Sequence, residues 1–433
     1  MVAGISVLVW MTWMPDARHL AVGLVLIYLL GWIVHALWSR LWRREILARF
    51  IMTSVTLAAL LLFVEGLAWL RVVDYRQVFS TPGYPYWWNR PGHLTDPELF
   101  WVVQPLHRVH VRYTRGDIGE FLCLPRQPPL MFDVRYDRRG FRNERDVAQA
   151  EIAVIGDSFV EAPMAPAEVL MTTLLEGLQG KPVANFGMSG YGPQHELVVL
   201  KRHVLPLEPS SIVWIFYEGN DLSDVQAYEG LTAHAAEFVH SPWERSFMKN
   251  ALWGALRVWE HRPCTPRPQL AKQYATIRTS DGSRKKIYFW DGGQALGAND
   301  LVALQKTGRM LAEAYRLSRD RNIRFVVVFA PVQYRVYHGT SSVVEESEAI
   351  TDWAVNDLPE RLLRIAGDIS SEIQFLDLTP IFQRHAANGA LLFLPDDMHW
   401  SPDGHRVVAE AIHELLATSA GKSPDRTNSV VSQ

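Results

Sequence analysis

The hydrophobic pattern divides the chain into three parts, and the first is the most apolar. Leu20 to Trp38 contains no Asp, Glu, Lys or Arg, and Phe50 to Leu70 contains only Glu65. At ~1.5 Å per helical residue each stretch is long enough for a bilayer core of ~30 Å. The pattern therefore predicts a membrane region over residues 1–74, with a transmembrane hairpin of helices at about 20–38 and 50–70. The joining segment holds Arg40, Arg43, Arg44 and Arg49 against Glu45, which by the positive-inside rule places it in the cytoplasm and both flanks outside. Ile5 to Met14 is shorter and lacks the basic start and small-residue cleavage site of a signal peptide, so it reads as an interfacial or partly inserted segment. Two buried helices of a soluble core are the alternative reading of the pattern.

In residues 75–150 the pattern gives way to proline, aromatic and charged residues, with Thr81 to Trp88 the most distinctive run. A linker and a small β-rich subdomain are expected here, because Val109 to Tyr113 and Phe132 to Tyr136 alternate as edge strands do. For Trp87 and Trp88, packing against the following domain is favoured over a sugar-binding or headgroup surface.

Residues 151–418 are regular. Five short apolar runs, Ile152–Ile155, Val183–Phe186, Ile212–Tyr217, Ile323–Ala330 and Ile373–Leu378, alternate with helical stretches at Met164–Leu178, His195–Leu205, Leu301–Arg319 and Leu358–Gly367. This order predicts an α/β domain, a parallel sheet covered on both faces, with its working residues on loops at the strands' carboxyl ends. An insertion at about 222–299 interrupts the alternation. Within it Ser241 to Glu260 reads as an amphipathic helix with Phe247, Leu252, Leu256 and Trp259 near one side, a stripe more often core packing than a lid or membrane-facing surface, while its position suggests a cap beside the active site. Residues 419–433 are polar and aperiodic and are expected to be a disordered tail.

Composition changes this picture in three places. A formal charge of −3 and a pI near 6.6 give a nucleic-acid partner no electrostatic support. The two cysteines, Cys123 and Cys264, are too few for a metal cluster or a disulfide framework, though they could pair in an oxidising compartment. Several of the 16 tryptophans lie in or beside the N-terminal apolar region, as interface residues do.

The candidate chemistry falls after the predicted strands. Glu151 to Phe159 runs from an apolar strand into Gly156-Asp157-Ser158, which puts the Ser158 hydroxyl at a helix start, where backbone amides help hold a developing negative charge. Gly190 leaves the second strand in a glycine-rich turn and offers an amide donor. Asn220, after the third strand, can direct its NH2 group at an oxyanion, although Asn-Asp alone is more often a turn or helix cap. His399 is the base candidate, with Asp396 three positions earlier as its orienting acid and Asp397 competing for that role. Ser401-Pro402-Asp403 reads as the start of a helix, which makes His405 structural. The histidines show no metal-ligand spacing, so neither metal nor other cofactor is expected.

In this order, Gly156-Asp157-Ser158, Gly190, Asn220 and Asp396-x-x-His399 resemble the SGNH (GDSL-type) hydrolase superfamily over Glu151 to about Leu416. The resemblance implies a three-layer α/β/α sandwich with a five-stranded parallel sheet. It also implies Ser158 as nucleophile, His399 as base, Asp396 as its partner, and an oxyanion hole from the Ser158 and Gly190 amides and the Asn220 side chain. One departure stands out: Glu218 occupies the first glycine position of the usual Gly-x-Asn-Asp block. Ala330 to Tyr337 and Met398-His-Trp400 also resemble segments of membrane-linked SGNH polysaccharide O-acetyltransferases.

These readings lead to an expected membrane-anchored serine esterase of the bacterial inner membrane, its catalytic domain on the periplasmic or extracellular side. It would act on O-acyl, most simply O-acetyl, esters of an envelope glycan. One alternative is an O-acyltransferase supplied by a membrane acyl-donor protein. The other is a non-catalytic glycan-binding scaffold, against which the retained triad candidates argue.

Overall fold

A computed structural model describes residues 43–78, 92–233, 245–252, 267–290 and 295–420, with residues 28, 31–33, 35 and 292. The chain forms two compact units, one of residues 1–101 and 234–263, the other of residues 102–233 and 264–433.

The first unit is built on the helix Arg43–Trp69, which is apolar all round. Among the described residues it supplies the one helix long and apolar enough to cross a membrane, Arg44–Trp69 at 26 residues. Of the earlier apolar stretch only five residues are described, all helical. Two of them touch the long helix: the Tyr28 hydroxyl lies 2.9 Å from Ser54 Oγ, and the Trp32 ring meets Phe50 edge-on at 5.4 Å. The rest of the expected first helix, the segment Ile5 to Met14, and Trp87 and Trp88 lie outside the described residues.

At the far end of the long helix Glu65 is the one acid in an apolar run, and it has partners. Its carboxylate accepts the Ser246 hydroxyl and, at 2.7 Å, the Phe247 amide. Arg245 lies 3.9 Å from Asp74, and the Phe247 ring meets Tyr75 edge-on at 5.2 Å. Residues 245–252 are the described part of the predicted amphipathic helix, and these contacts tie it to the end of the apolar helix.

The strands, in chain order, are β1 (His93–Asp96), β2 (Phe100–Val103), β3 (Arg108–Tyr113), β4 (Leu130–Arg135), β5 (Ile152–Gly156), β6 (Val183–Gly187), β7 (Ser211–Tyr217), β8 (Tyr274–Arg278), β9 (Arg284–Tyr288), β10 (Arg324–Ala330), β11 (Val343–Glu346) and β12 (Gln374–Asp377). Five form the parallel sheet of the second unit in the order β12-β10-β7-β5-β6. They coincide with the five apolar runs. Both faces of the sheet are covered, so β5 and β7 are buried along their whole length and carry unbroken apolar sequence rather than alternation. Helices Met171–Gln179 and Pro402–Ala420 pack together in one flanking layer, and Ala298–Arg319 packs with Asp221–Ala233 and Leu358–Ile369 in the other. The two segments read as edge strands pair with each other, β3 antiparallel to β4.

Two expectations about the elements need correction. The helix expected from Met164 begins at Met171, because Pro166 takes an extended conformation and the guanidinium of buried Arg142 binds the carbonyls of Glu161, Ala162 and Ala165. The insertion also contributes strands. β8 and β9 form a hairpin turning at Asp281-Gly282, where Gly282 has φ +82°, and β11 joins β8 to complete a second, three-stranded antiparallel sheet.

Candidate active site

Ser158 sits where β5 ends and a short helix, Ser158–Glu161, begins. Asp157 caps that helix, its carboxylate accepting the Phe159 amide at 2.9 Å. The turn packs very closely on the sheet. A Cβ on Gly187, at the end of β6, would lie 2.3 Å from the Glu161 nitrogen. Only glycine fits there, so β6 delivers the next turn directly alongside the serine helix.

That next turn carries Gly190 at φ +80°, a left-handed conformation glycine adopts without strain. Glu161 fixes it, accepting the Ser189 amide at 2.6 Å and the Ser189 hydroxyl at 2.5 Å, while the Tyr136 hydroxyl binds its other oxygen at 2.6 Å. The Met188 amide donates to Gly156 O at 3.1 Å and closes the ends of β5 and β6 together. On the other side β7 ends at Tyr217, whose ring lies tilted against Phe159 with centroids 3.8 Å apart, and Asn220 follows in the turn.

The imidazole arrives from the loop before the last helix. His399 Nε2 lies 2.8 Å from Ser158 Oγ, across 241 residues of sequence. Its Nδ1 lies 2.6 Å from Asp397 Oδ1. The acid against His399 is therefore Asp397, the competing candidate, and not Asp396. The reason is local. The Asp397 carboxylate accepts the amide of His399 two residues on, at 3.0 Å, and this tight turn folds it back onto the same residue's ring. Asp396 points the other way: its Oδ2 accepts the Gly116 amide at 3.0 Å and its carbonyl accepts the Gly119 amide at 2.8 Å. It fastens the loop to helix Asp117–Leu122. A Cβ on Gly116 would lie 2.3 Å from the Asp396 carbonyl oxygen, so this contact needs glycine.

Asp397 has further donors. Its Oδ2 accepts the Asp117 amide at 3.1 Å and the Tyr113 hydroxyl at 3.3 Å. Gln333 Nε2 donates to the Asp397 carbonyl at 2.8 Å. Sequence reasoning missed Tyr113, the Asp117 amide, Glu161 and Gln333. Tyr113 and Asp117 belong to the aromatic and charged stretch before the domain, and their only sequence signal is Gly116-Asp117-Ile118-Gly119, two glycines spaced to admit another loop.

Burial and charge act against each other at this site. Burial lowers the pKa of His399, but the charge and hydrogen bond of Asp397 outweigh it and hold the imidazole above its ordinary value. Burial raises Asp397, while the paired imidazole and the hydrogen bonds leave it below the usual carboxylate range. Behind Ser158 lies a second set of acids. Burial pushes Asp157 up, against the pull of the Phe159 amide, His399 and the Asn220 side chain. Glu196 is pushed well up by burial and by the charges of Asp157 and Asp224, Asp221 well up by burial and by the charges of Glu196, Asp157 and Asp224, and Asp224 to about 8 by burial and Asp157.

Among the described residues, Asp117, Asp397 and His399 are the one grouping of His, Cys, Asp and Glu with donor atoms close enough, within 4.8 Å, to share a metal ion. Both His399 nitrogens and Asp397 are engaged in the hydrogen bonds above. His405 lies buried in the helix Pro402–Ala420, and its Nδ1 accepts the Met171 amide at 3.3 Å.

No curated protein matches the chain. Among solved structures it is similar to the acetyl xylan esterase AlAXEase at 12% identity and a TM-score of 0.34, over 61% of this chain and 98% of that one. It is likewise similar to the lipase/acylhydrolase from Enterococcus faecalis at 13% identity and a TM-score of 0.32, over 62% of this chain and 96% of that one. Residues 289–431 match the family model described as the SGNH hydrolase-like domain of acetyltransferase AlgX. Over those residues the chain is thus similar to an SGNH hydrolase-like domain, a kind of domain that serves ester hydrolysis or acyl transfer.

Proposed function

We propose that Ser158, His399 and Asp397 form a catalytic triad that takes an O-acyl group, most simply acetyl, from an ester of an envelope glycan through an acyl-enzyme. The observation that carries this reading is the unbroken chain Ser158 Oγ to His399 Nε2 at 2.8 Å and His399 Nδ1 to Asp397 at 2.6 Å. A serine hydroxyl is a poor nucleophile until a base takes its proton, and this is the geometry that does so. Oγ attacks the carbonyl carbon as its proton passes to Nε2. The resulting oxyanion is held by the Ser158 and Gly190 amides and the Asn220 NH2 group. Collapse of the intermediate breaks the ester bond, the departing sugar oxygen takes the proton from Nε2, and the acyl group stays on Ser158. Water deprotonated by His399 then releases the acid. Asp397 holds the ring with Nδ1 protonated and stabilises the imidazolium, and Tyr113 and the Asp117 amide hold Asp397.

The second reading, transfer to a sugar hydroxyl in place of water, is favoured by the acetyltransferase description of the matching family. In that case a membrane acyl-donor protein would supply the acetyl group. Anchoring in the bacterial inner membrane through a hairpin is supported by the helix Arg44–Trp69 and by the contacts of Tyr28 and Trp32 with it. A periplasmic or extracellular catalytic domain is supported by Cys123, which is disulfide-bonded. Purified full-length protein given an activated acetyl ester, with and without envelope oligosaccharide, separates the readings. Free acetate alone means hydrolysis, acetylated sugar means transfer, and no turnover dependent on Ser158 refutes both.

A further inference from the structure

Glu218 stands where the resemblance expects glycine, and its side chain has a defined place. It leaves the end of β7 two residues before Asn220 and is 5% exposed, against Arg335 at 6%. Arg335 Nε donates to the two carboxylate oxygens at 2.9 and 2.8 Å, and Nη2 donates to Oε1 at 2.5 Å. The same guanidinium binds the Asn356 carbonyl at 2.9 Å and its side-chain oxygen at 2.8 Å, and Glu218 Oε2 accepts the Val332 amide at 3.0 Å. Gly219 lets the turn close over the Tyr217 ring, 2.5 Å from where a Cβ would sit. A buried ion pair contributes little net stability once both charges are desolvated, but a two-pronged guanidinium fixes geometry.

What it fixes follows from its neighbours. Arg335 belongs to a five-residue helix, Gln333–Tyr337. From the same helix Gln333 Nε2 reaches the carbonyls of Asp397 at 2.8 Å and Leu394 at 3.3 Å, in the loop that carries His399. One short helix therefore grips the turn bearing Asn220 with one side chain and the loop bearing the acid and base with another. Neither side chain touches Ser158 or His399, and the mechanism above uses neither.

We infer that Glu218 and Arg335 are a positioning pair that keeps the Asn220 NH2 group aimed at the oxyanion, while Gln333 references the Asp397–His399 loop to the same helix. The inference rests on the proposed role of Ser158 and Asn220. Arg335→Lys keeps the charge and loses the planar grip, so kcat falls while KM stays near its original value. The expected loss is about 10- to 100-fold, a part of the ~10²–10³ lost when an oxyanion donor is removed. Because the pair acts through Asn220, Arg335→Lys adds no further loss to the Asn220→Ala protein.

The test is a double-mutant cycle in the full-length protein with p-nitrophenyl acetate. It compares wild type, Arg335→Lys, Asn220→Ala and the double variant, with Ser158→Ala as the blank and melting temperatures to confirm folding. Glu218→Gln serves as the second probe of the pair if Arg335→Lys does not fold. A double variant as active as Asn220→Ala is the expected result. Losses that multiply, or an unchanged kcat in both pair variants, overturn the positioning role and leave the serine reading standing. Absence of turnover dependent on Ser158 in the wild type overturns the reading and the inference together.

Discussion

Asp396 and Asp397 are adjacent carboxylates with opposite duties, and exchanging each for asparagine separates them. Asp397 Oδ1 lies 2.6 Å from His399 Nδ1, and its two oxygens also accept the His399 amide, the Asp117 amide and the Tyr113 hydroxyl. In Asp397→Asn an amide NH2 facing the ring requires an unprotonated Nδ1, so the proton moves to Nε2, the atom that must accept from Ser158. The imidazolium formed during reaction also loses its counter-charge. Loss of about 10⁴-fold in kcat follows, equivalent to ~5 kcal/mol of transition-state stabilisation. In Asp396→Asn the side-chain oxygen still accepts the Gly116 amide and the Gly119 contact uses the backbone, so a change of no more than about 10-fold is expected, in keeping with one neutral hydrogen bond at ~1 kcal/mol. The assay is the pH profile of kcat/KM on an activated acetyl ester. The wild-type profile rises with pH through a His399 pKa above its ordinary value, and in any residual activity of Asp397→Asn this limb moves down, because the carboxylate that held it up is gone. A 10⁴-fold loss in Asp396→Asn with little change in Asp397→Asn refutes the reasoning.

Two further predictions concern stability. Asp224 keeps its proton up to about 8 in the folded protein, whereas an unfolded chain releases it near ~4, so folding takes up a proton between these values and stability falls as pH rises through that window. Asp224→Asn removes this part of the slope, to be read as denaturation midpoints at about pH 5 and about pH 8; an unchanged difference between them contradicts it. Gly187→Ala places a methyl group 2.3 Å from the Glu161 nitrogen and 2.6 Å from Val160 Cβ, and overpacking of this kind costs ~1–3 kcal/mol. A melting temperature equal to wild type would show that the serine helix does not lie where the structure puts it.

The sequence carried the sheet because burial on both faces leaves no alternation to confuse: β5, β6, β7, β10 and β12 are short apolar runs between helical stretches, and each fell where expected. The positions of Ser158, Gly190 and Asn220 after β5, β6 and β7 were legible for a related reason, since strand ends in a parallel sheet deliver their loops to one edge. The choice between Asp396 and Asp397 was not legible, because it depends on a turn closed by the His399 amide and on the amides of Gly116 and Asp117, each 280 residues in sequence from the aspartate it binds. Glu218 looked like a lapse in a motif until Arg335, more than a hundred residues later, supplied its partner. The β8–β9 hairpin had a local signal in Asp281-Gly282 between alternating segments, and the tryptophans around it drew the reading towards helix and cap.

The most direct test is to stop the reaction in the middle. Full-length His399→Ala and wild-type protein are mixed with an activated acetyl ester, quenched in acid within the first turnover, and digested for peptide mass spectrometry. An acetyl group on Ser158 in the wild type, absent from Ser158→Ala and strongly reduced in His399→Ala, is the predicted result. Turnover at the wild-type rate in Ser158→Ala, or acetylation confined to another residue, would contradict it.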